Sequence, residues 1–83
     1  MALRIHPHAQ ERMQERGVTA DEVETAVEHG EPLAAKFGRT AFRRNFPFGG
    51  QWRGRQYNTK QVEVYAVREE NEWLVITVIA RYF

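Results

Sequence analysis

The sequence contains no cysteine among its 83 residues. Disulfide bonds and catalysis by a thiolate are therefore excluded, and a cytoplasmic location is the expectation for such a chain. The sequence also lacks a continuous apolar run of about 18 residues, the length that a membrane-spanning helix needs, and an apolar export segment near its start. We therefore expect no membrane as a partner.

Motifs for metal ions and for phosphate-binding loops are missing as well. The three histidines, His6, His8 and His29, do not follow the spacing of a zinc site, and no HExxH pattern occurs. The segment GGQWRGR, residues 49–55, lacks both the Gly-Lys-Ser/Thr ending of a P-loop and a following helix. We therefore expect neither a metal nor a cofactor.

Net charge is small, at +1, but the charges are unevenly distributed. Residues 9–31 contain seven acids and two arginines, whereas residues 36–60 contain seven basic residues and no acid. The basic segment either attracts the phosphate groups of a partner or simply belongs to a solvated surface. Composition alone does not separate these two interpretations.

Two short helices are predicted in the first half of the chain. The first covers residues 7–16, because Pro7 is typical of a first helical position and Gly17 of a C-terminal stop. The second covers residues 19–30 and begins with the Thr-x-x-Glu capping box formed by Thr19 and Glu22. Both helices have apolar residues at helical spacing, which predicts that each packs one face on a core.

Strand patterns replace the helical pattern after Pro32. The last strand is apolar on both faces, which places it inside a sheet and predicts that Ile76 belongs to the core. The glycine-rich and basic residues 47–60 are expected to form a loop or a wide hairpin connection. The four predicted strands cover residues 33–37, 39–46, 61–68 and 73–83. The expected fold is a single α+β domain over residues 1–83, with two N-terminal helices packed on an antiparallel sheet of three to four strands.

One row on the first helix has a possible chemical function. His8, Arg12 and Arg16 are spaced four residues apart, so they lie along one side of the helix. A histidine and two arginines in a row can hold a phosphate group, with the histidine as proton carrier. The alternative is a solvated row whose arginines pair with Glu11 and Glu15.

The basic segment interleaves arginines with aromatic residues, a pattern typical of proteins that bind single-stranded RNA by base stacking and phosphate contacts. The alternative is that Phe46 and Phe48 close the core and that Trp52 packs on a strand edge. Arg81 is a separate candidate, because an arginine on an apolar strand face must reach an edge, a carboxylate or a ligand. The candidate RNA-binding residues are Arg43, Arg44, Trp52, Arg53, Arg55 and Lys60.

The first helix and the turn after it also carry a motif with fixed offsets: His8, Ala9, Arg12, Met13, Arg16, Gly17, Val18 and Thr19. This motif resembles the opening signature of small bacterial proteins known as domain of unknown function 4258. The resemblance extends to the apolar segment VITV near the end of the chain, and residues 46–61 are longer and more basic than in the compact form of the family. The order of helices and strands is similar to that of RelE-type ribonuclease toxins, which implies a RelE-toxin-like fold.

Two functions from different classes follow. The first is a toxin-like, metal-independent ribonuclease, which needs a proton carrier and cations on the phosphate; Tyr65 or Tyr82 could supplement the histidine. The second is a non-catalytic module that binds RNA or a protein, and the expected partners are RNA or an antitoxin-like protein. The candidate catalytic residues are His8, Arg12, Arg16 and Arg81, with Arg43 as a further phosphate ligand.

Overall fold

The computed structural model describes residues 3–83, which form two helices and one five-stranded sheet. The sheet order is β1-β5-β4-β3-β2; β1 runs parallel to β5, and the other neighbours are antiparallel. The elements are β1 (Leu3–Ile5), α1 (Pro7–Arg16), α2 (Ala20–His29), β2 (Glu31–Ala34), a 3₁₀ turn (Lys36–Gly38), β3 (Thr40–Trp52), β4 (Arg55–Glu69) and β5 (Glu72–Tyr82). The α+β class is confirmed, but the prediction of a three- to four-stranded antiparallel sheet is wrong, because β1 adds a parallel edge strand that its three residues are too short to reveal.

Local capping explains where the two helices begin and end. The Nδ1 atom of His6 accepts a hydrogen bond from the backbone N–H of His8 at 3.0 Å, and the helix ends at Gly17, whose φ of 69° is left-handed. The predicted capping box of Thr19 and Glu22 is present with both of its hydrogen bonds. Both predicted helices are therefore confirmed.

Residues 47–60, predicted as a loop or a wide hairpin connection, belong to one long hairpin, whose strands β3 and β4 extend into this segment. The turn consists of Arg53 and Gly54, whose φ angles of 52° and 83° are both positive, as a type I′ turn requires. The Gly49-Gly50 pair lies inside β3, where the β3–β4 register shifts. These glycines therefore lie at a bulge and not in the hairpin turn.

The core lies between the helices and one face of the sheet. α1 packs on β5, and α2 packs on β3 and β4. Val62 and Val64 of β4 are fully buried on this side, together with Val75 and Val78 of β5. Because side chains alternate along a strand, Glu63, between Val62 and Val64, lies on the opposite side of the sheet. We call that side the open face; it carries Ala41, Arg43, Gln61, Glu63, Tyr65, Ile79 and Arg81.

The last strand contains a bulge that changes its faces. Ala66 pairs with Val75, but Tyr65 pairs with Thr77, so Ile76 is an extra residue in β5. Ile76 is only half-buried, whereas Val75 and Val78 are fully buried. The prediction that Ile76 is a core residue is therefore wrong.

Candidate functional site

A buried carboxylate on the open face gathers three polar side chains around it. Glu63 of β4 has a side chain that is only 6% exposed. Its Oε2 atom accepts hydrogen bonds from Arg43 Nε at 3.1 Å and from Arg81 Nη1 at 2.7 Å. Its Oε1 atom accepts one from the Tyr65 hydroxyl at 2.9 Å. We call these four residues the Glu63 cluster.

Strand register places these side chains together. Arg43 of β3 is the direct cross-strand partner of Glu63, and Tyr65 follows two residues later on the same face of β4. Arg81 of β5 lies opposite Gln61, which makes Arg81 a diagonal neighbour of Glu63. Three adjacent strands therefore supply the cluster, and each side chain is held by a regular backbone ladder.

Electrostatics in the cluster keep the carboxylate charged. Burial by itself raises the pKa of Glu63, but hydrogen bonds from Tyr65 and Arg81 and the charges of Arg81 and Arg43 outweigh it, so that the pKa is lowered from 4.5. The hydrogen bond to Glu63 is the largest of the effects that raise the pKa of Tyr65, and burial adds to it. At neutral pH the cluster therefore contains an ionised carboxylate, a neutral phenol and two guanidinium groups, a net charge of +1.

The two arginines keep part of their hydrogen-bonding capacity for a ligand. Arg43 uses only Nε on Glu63, and Arg81 uses only Nη1, which also contacts Gln61 at 3.5 Å. Within residues 3–83, the other guanidinium nitrogens of both arginines have no hydrogen-bond partner. Their side chains are 42% and 55% exposed, so a ligand can reach them. A fixed guanidinium with a free N–H edge is well suited to bind a phosphate group.

A cavity of about 440 Å³ adjoins the Glu63 cluster on the open face. Arg43, Glu63 and Tyr65 line it, together with residues 33–37, Arg39 and Ala41. The cavity lining therefore combines apolar side chains with basic ones.

The histidine–arginine row that the sequence suggested lies on the opposite side of the sheet. His8 is exposed on α1, which packs on the core face of β5. Arg12 pairs with Glu15 at 2.7 Å. Arg16 Nη1 donates to the Val78 carbonyl at 2.6 Å, on a part of β5 that β1 does not pair. The structure therefore does not bring this row together with Arg43 and Arg81.

Two residues of the basic segment, together with Tyr82 of β5, donate hydrogen bonds to carbonyl groups at the C-terminal end of α1. Arg53 donates to the carbonyl of residue 15 at 3.1 Å, and the Tyr82 hydroxyl donates to the carbonyl of residue 16 at 2.7 Å. Lys60 donates to the carbonyl of residue 17. The last carbonyl groups of a helix have no partner within it, and cations near that end also interact favourably with the helix dipole. These side chains therefore serve to fix α1.

Trp52 and Lys60 are packed into this contact. The Trp52 ring stacks on Tyr82, with centroids 4.8 Å apart and planes 15° from parallel. The Lys60 ammonium is 2.7 Å from the Glu22 carboxylate, and its side chain is only 5% exposed. Packing on Tyr82 therefore explains the position of Trp52, and pairing with Glu22 explains that of Lys60.

Arg44 and Arg55 also lie away from the Glu63 cluster. Arg44 donates to the His29 carbonyl at 3.2 Å, at the end of α2. Arg55 is exposed at the start of β4, next to the hairpin turn. Of the six candidate RNA-binding residues, the structure brings only Arg43 together with Arg81.

Glu63, the centre of the cluster, is not among the candidate residues predicted from the sequence. The one indication of it in the sequence is an acid between two valines, Val62 and Val64, in an alternating strand. An acid in such a pattern usually faces solvent, and its pairing with Arg43 requires the strand register to be known.

Within the described part of the chain, no group of three or more histidine, aspartate and glutamate side chains is arranged to hold a metal ion. Over the same residues, no helix has the length and apolar character to cross a membrane.

The fold and the site thus define a class: a small α+β protein whose sheet presents two arginines fixed by one buried glutamate. The sequence profile of the family described as Domain of unknown function (DUF4258) matches residues 5–80, and the chain belongs to this family. No curated protein and no solved structure shows a match to the chain. The expected likeness to RelE-type toxins therefore has no structural neighbour to support it.

Proposed function

We propose that the chain is an RNA-binding protein whose open face binds the phosphate groups of single-stranded RNA through Arg43 and Arg81. The observation that carries the proposal is that one buried carboxylate, Glu63, fixes both guanidinium groups and leaves N–H groups on each of them without a partner among residues 3–83. Guanidinium groups bind phosphate oxygens through paired hydrogen bonds, and fixing them in advance lowers the entropy cost of binding.

The surroundings of the Glu63 cluster support a chain-like ligand over a single anion. Lys36 and Arg39 lie along the adjoining cavity, so the positive charge extends beyond the two central arginines. A strand of RNA carries one phosphate per nucleotide and can contact several such cations at once.

The same cluster has the groups that metal-independent cleavage of RNA requires. In this step, the RNA phosphate draws Arg43 and Arg81 partly away from Glu63, which exposes the carboxylate. The carboxylate then takes the proton of a ribose 2′-OH, and the 2′-oxygen attacks the adjacent phosphorus. The bond from phosphorus to the 5′-oxygen breaks, the neutral Tyr65 hydroxyl gives its proton to that oxygen, and a 2′,3′-cyclic phosphate remains. Arg43 and Arg81 stabilise the charge that develops on the phosphate, after moving partly from the carboxylate to the ligand.

Binding is tested by fluorescence anisotropy with a short labelled single-stranded RNA over a range of salt concentrations. The wild-type affinity should fall with salt, and Arg43→Ala and Arg81→Ala should each reduce the slope of log K against log salt by about one. Arg12→Ala is the control, because Arg12 lies on α1 and should not change the slope. A wild-type protein without salt-sensitive affinity would contradict the proposal, and an effect of Arg12→Ala alone would move the site to the helix row.

Cleavage is tested with the same RNA in the presence of a chelator, followed by gel analysis for a cyclic-phosphate end. Glu63→Gln should abolish cleavage, since the amide cannot accept the proton. His8→Ala tests the proton carrier that the sequence suggested, and it should cleave at the wild-type rate. If the wild-type protein binds RNA and leaves it intact, the function is binding alone.

A protein-interaction module, with an antitoxin-like protein as partner, is the second candidate. It is favoured by β2, which forms one edge of the sheet and pairs with β3 on one side only. An edge strand can accept a strand from another protein. Such binding would depend little on salt and on Arg43, so the anisotropy experiment separates the two candidates. The ribonuclease proposal rests on the Glu63 cluster, because a likeness to RelE-type toxins would support it only at the level of fold.

A further inference from the structure

Phe37 has a conformation and an exposure that packing does not explain. Phe37 is 87% exposed, which makes it the most exposed large apolar residue in the described part of the chain. Its φ of 61° and ψ of 36° are left-handed, which is unfavourable for a bulky residue other than glycine. Strained residues of this kind are concentrated at ligand-binding sites.

The position of Phe37 connects it to the Glu63 cluster. Phe37 lines the 440 Å³ cavity that Arg43 and Tyr65 also line. The Arg39 guanidinium is 5.9 Å from the centroid of the Phe37 ring. The aromatic ring of Phe37, the guanidinium plane of Arg39 and the fixed guanidinium of Arg43 therefore border one space.

We propose that this cavity binds one nucleobase of single-stranded RNA, which stacks on Phe37 while the adjoining phosphate binds Arg43. The inference rests on the proposed function and adds to it the place where a base is held.

Charge and size favour a nucleotide over an apolar peptide as the occupant. Three of the lining side chains, Lys36, Arg39 and Arg43, are basic, and Glu63 is the one acid among them. The volume lies within the range of about 300–1,000 Å³ that is usual for small-molecule sites. Because every base has an aromatic face, the stack tolerates any base.

Substitutions of Phe37 test the proposal with the labelled single-stranded RNA. Phe37→Ala should lower affinity about tenfold, the loss expected for one base stack, without changing the salt slope. Phe37→Trp should restore the affinity, and the fluorescence of the new tryptophan should be quenched when RNA is added. Phe83→Ala is the matched control, because Phe83 is also exposed and lies outside the cavity lining.

Phe37→Gly separates a binding role from a structural one. Glycine adopts the left-handed conformation readily, so the unfolding midpoint should not fall, while the RNA affinity should fall as for Phe37→Ala. A lower midpoint would assign Phe37 a structural role and would overturn the proposal.

The remaining outcomes distinguish the base site from the phosphate site. Salt-sensitive RNA binding that Phe37→Ala leaves unchanged would overturn the base site alone and would keep the phosphate site. An absence of salt-sensitive binding would overturn both. Self-association that is lost in Phe37→Ala, with RNA affinity unchanged, would assign Phe37 to a protein contact instead.

Discussion

Glu63 is a charged residue between two fully buried valines, and its chemistry depends on its neighbours in other strands. Its carboxylate is nearly inaccessible, yet three hydrogen bonds keep it ionised. Removing a carboxylate from water is costly, and charged hydrogen bonds recover that cost only when they are well directed. The Glu63 cluster is therefore both a stabilising network and the candidate site.

Acidification should remove the contribution of Glu63 to stability. Because the folded protein lowers the pKa of Glu63, the contribution is present above pH 4.5, the ordinary value, and is lost as the pH falls through the lower folded value. Glu63→Gln should reduce the free energy of unfolding by about 1–3 kcal/mol near pH 7, and the difference from wild type should shrink near pH 3. Urea unfolding at the two pH values measures it.

The control for this experiment is Glu24→Gln. Glu24 is exposed on α2 and has no salt bridge with another described residue, so its substitution should change stability little at either pH. A difference for Glu63→Gln that stays constant between the two pH values would show that the charge of Glu63 does not contribute.

Gly17 combines two constraints at the end of α1. Its φ is left-handed, and a Cβ atom there would lie 2.6 Å from the Trp52 ring. Gly17→Ala should therefore reduce the free energy of unfolding by about 2–4 kcal/mol, since a steric clash adds to the backbone cost. Gly49→Ala should cost only about 1–2 kcal/mol, because Gly49 has a similar φ and open space around it. Equal losses in thermal unfolding would contradict the close contact with Trp52.

At the scale of elements, β5 shows how one bulge changes the assignment of a whole strand. Strict alternation from Trp73 onwards places Ile76 with Val78, whereas the inserted residue places Val75 and Val78 on the core side. Nothing local marks the bulge, because all neighbouring residues are β-branched or apolar. It arises from pairing with β4, which single-strand periodicity does not contain.

The bulge can be tested by comparing two substitutions in β5. Val78→Ala should reduce the free energy of unfolding by about 2–3 kcal/mol, because it leaves a cavity at a fully buried position. Ile76→Ala removes more atoms but should cost only about 1 kcal/mol, because Ile76 is half-buried. Denaturant midpoints rank the two substitutions. A larger loss for Ile76→Ala would contradict the bulge and would place Ile76 in the core.

Elements with local signals could be predicted from the sequence, and those that depend on pairing could not. Pro7, Gly17 and the Thr19 capping box determine the helix ends by contacts within a few residues, so their prediction was accurate. The sequence predicts a loop or a wide hairpin connection over residues 47–60, but it does not place the turn at Arg53, because glycine occurs at three positions of this segment. Register over 11 pairs of residues, not residue type, places the turn.

At the scale of the whole molecule, charge along the sequence does not predict charge on a surface. The basic segment alternates in a hairpin, so its residues are divided between the open face and the side that holds α1. Arg43 lies on the open face, while Lys60 is buried beside Glu22. The sequence supplied two arginines of the candidate site, but the glutamate that joins them is recognised only in three dimensions.

The proposed ligand should mark one face of the molecule. In amide NMR spectra, a short single-stranded RNA should shift resonances of residues 33–43 and of the strands around Glu63, because these lie nearest to the phosphate and base sites. The resonances of His8 and Arg12 should stay in place, since the sheet separates α1 from the open face. Shifts confined to α1 would contradict the site described above.

The parallel pairing of β1 with β5 also has a consequence for how the chain acquires its structure. Leu3 pairs with Trp73, and Arg4 forms ion pairs with Glu69 and Glu72. The β1 strand can therefore pair only after β5 has been synthesised. During synthesis, the early residues leave the ribosome long before their partners exist. The β5 strand is also the neighbour of β4, so the sheet lacks an inner strand until then. Completion of the sheet must therefore follow translation of residues 72–82, and contacts so distant along the chain make folding comparatively slow.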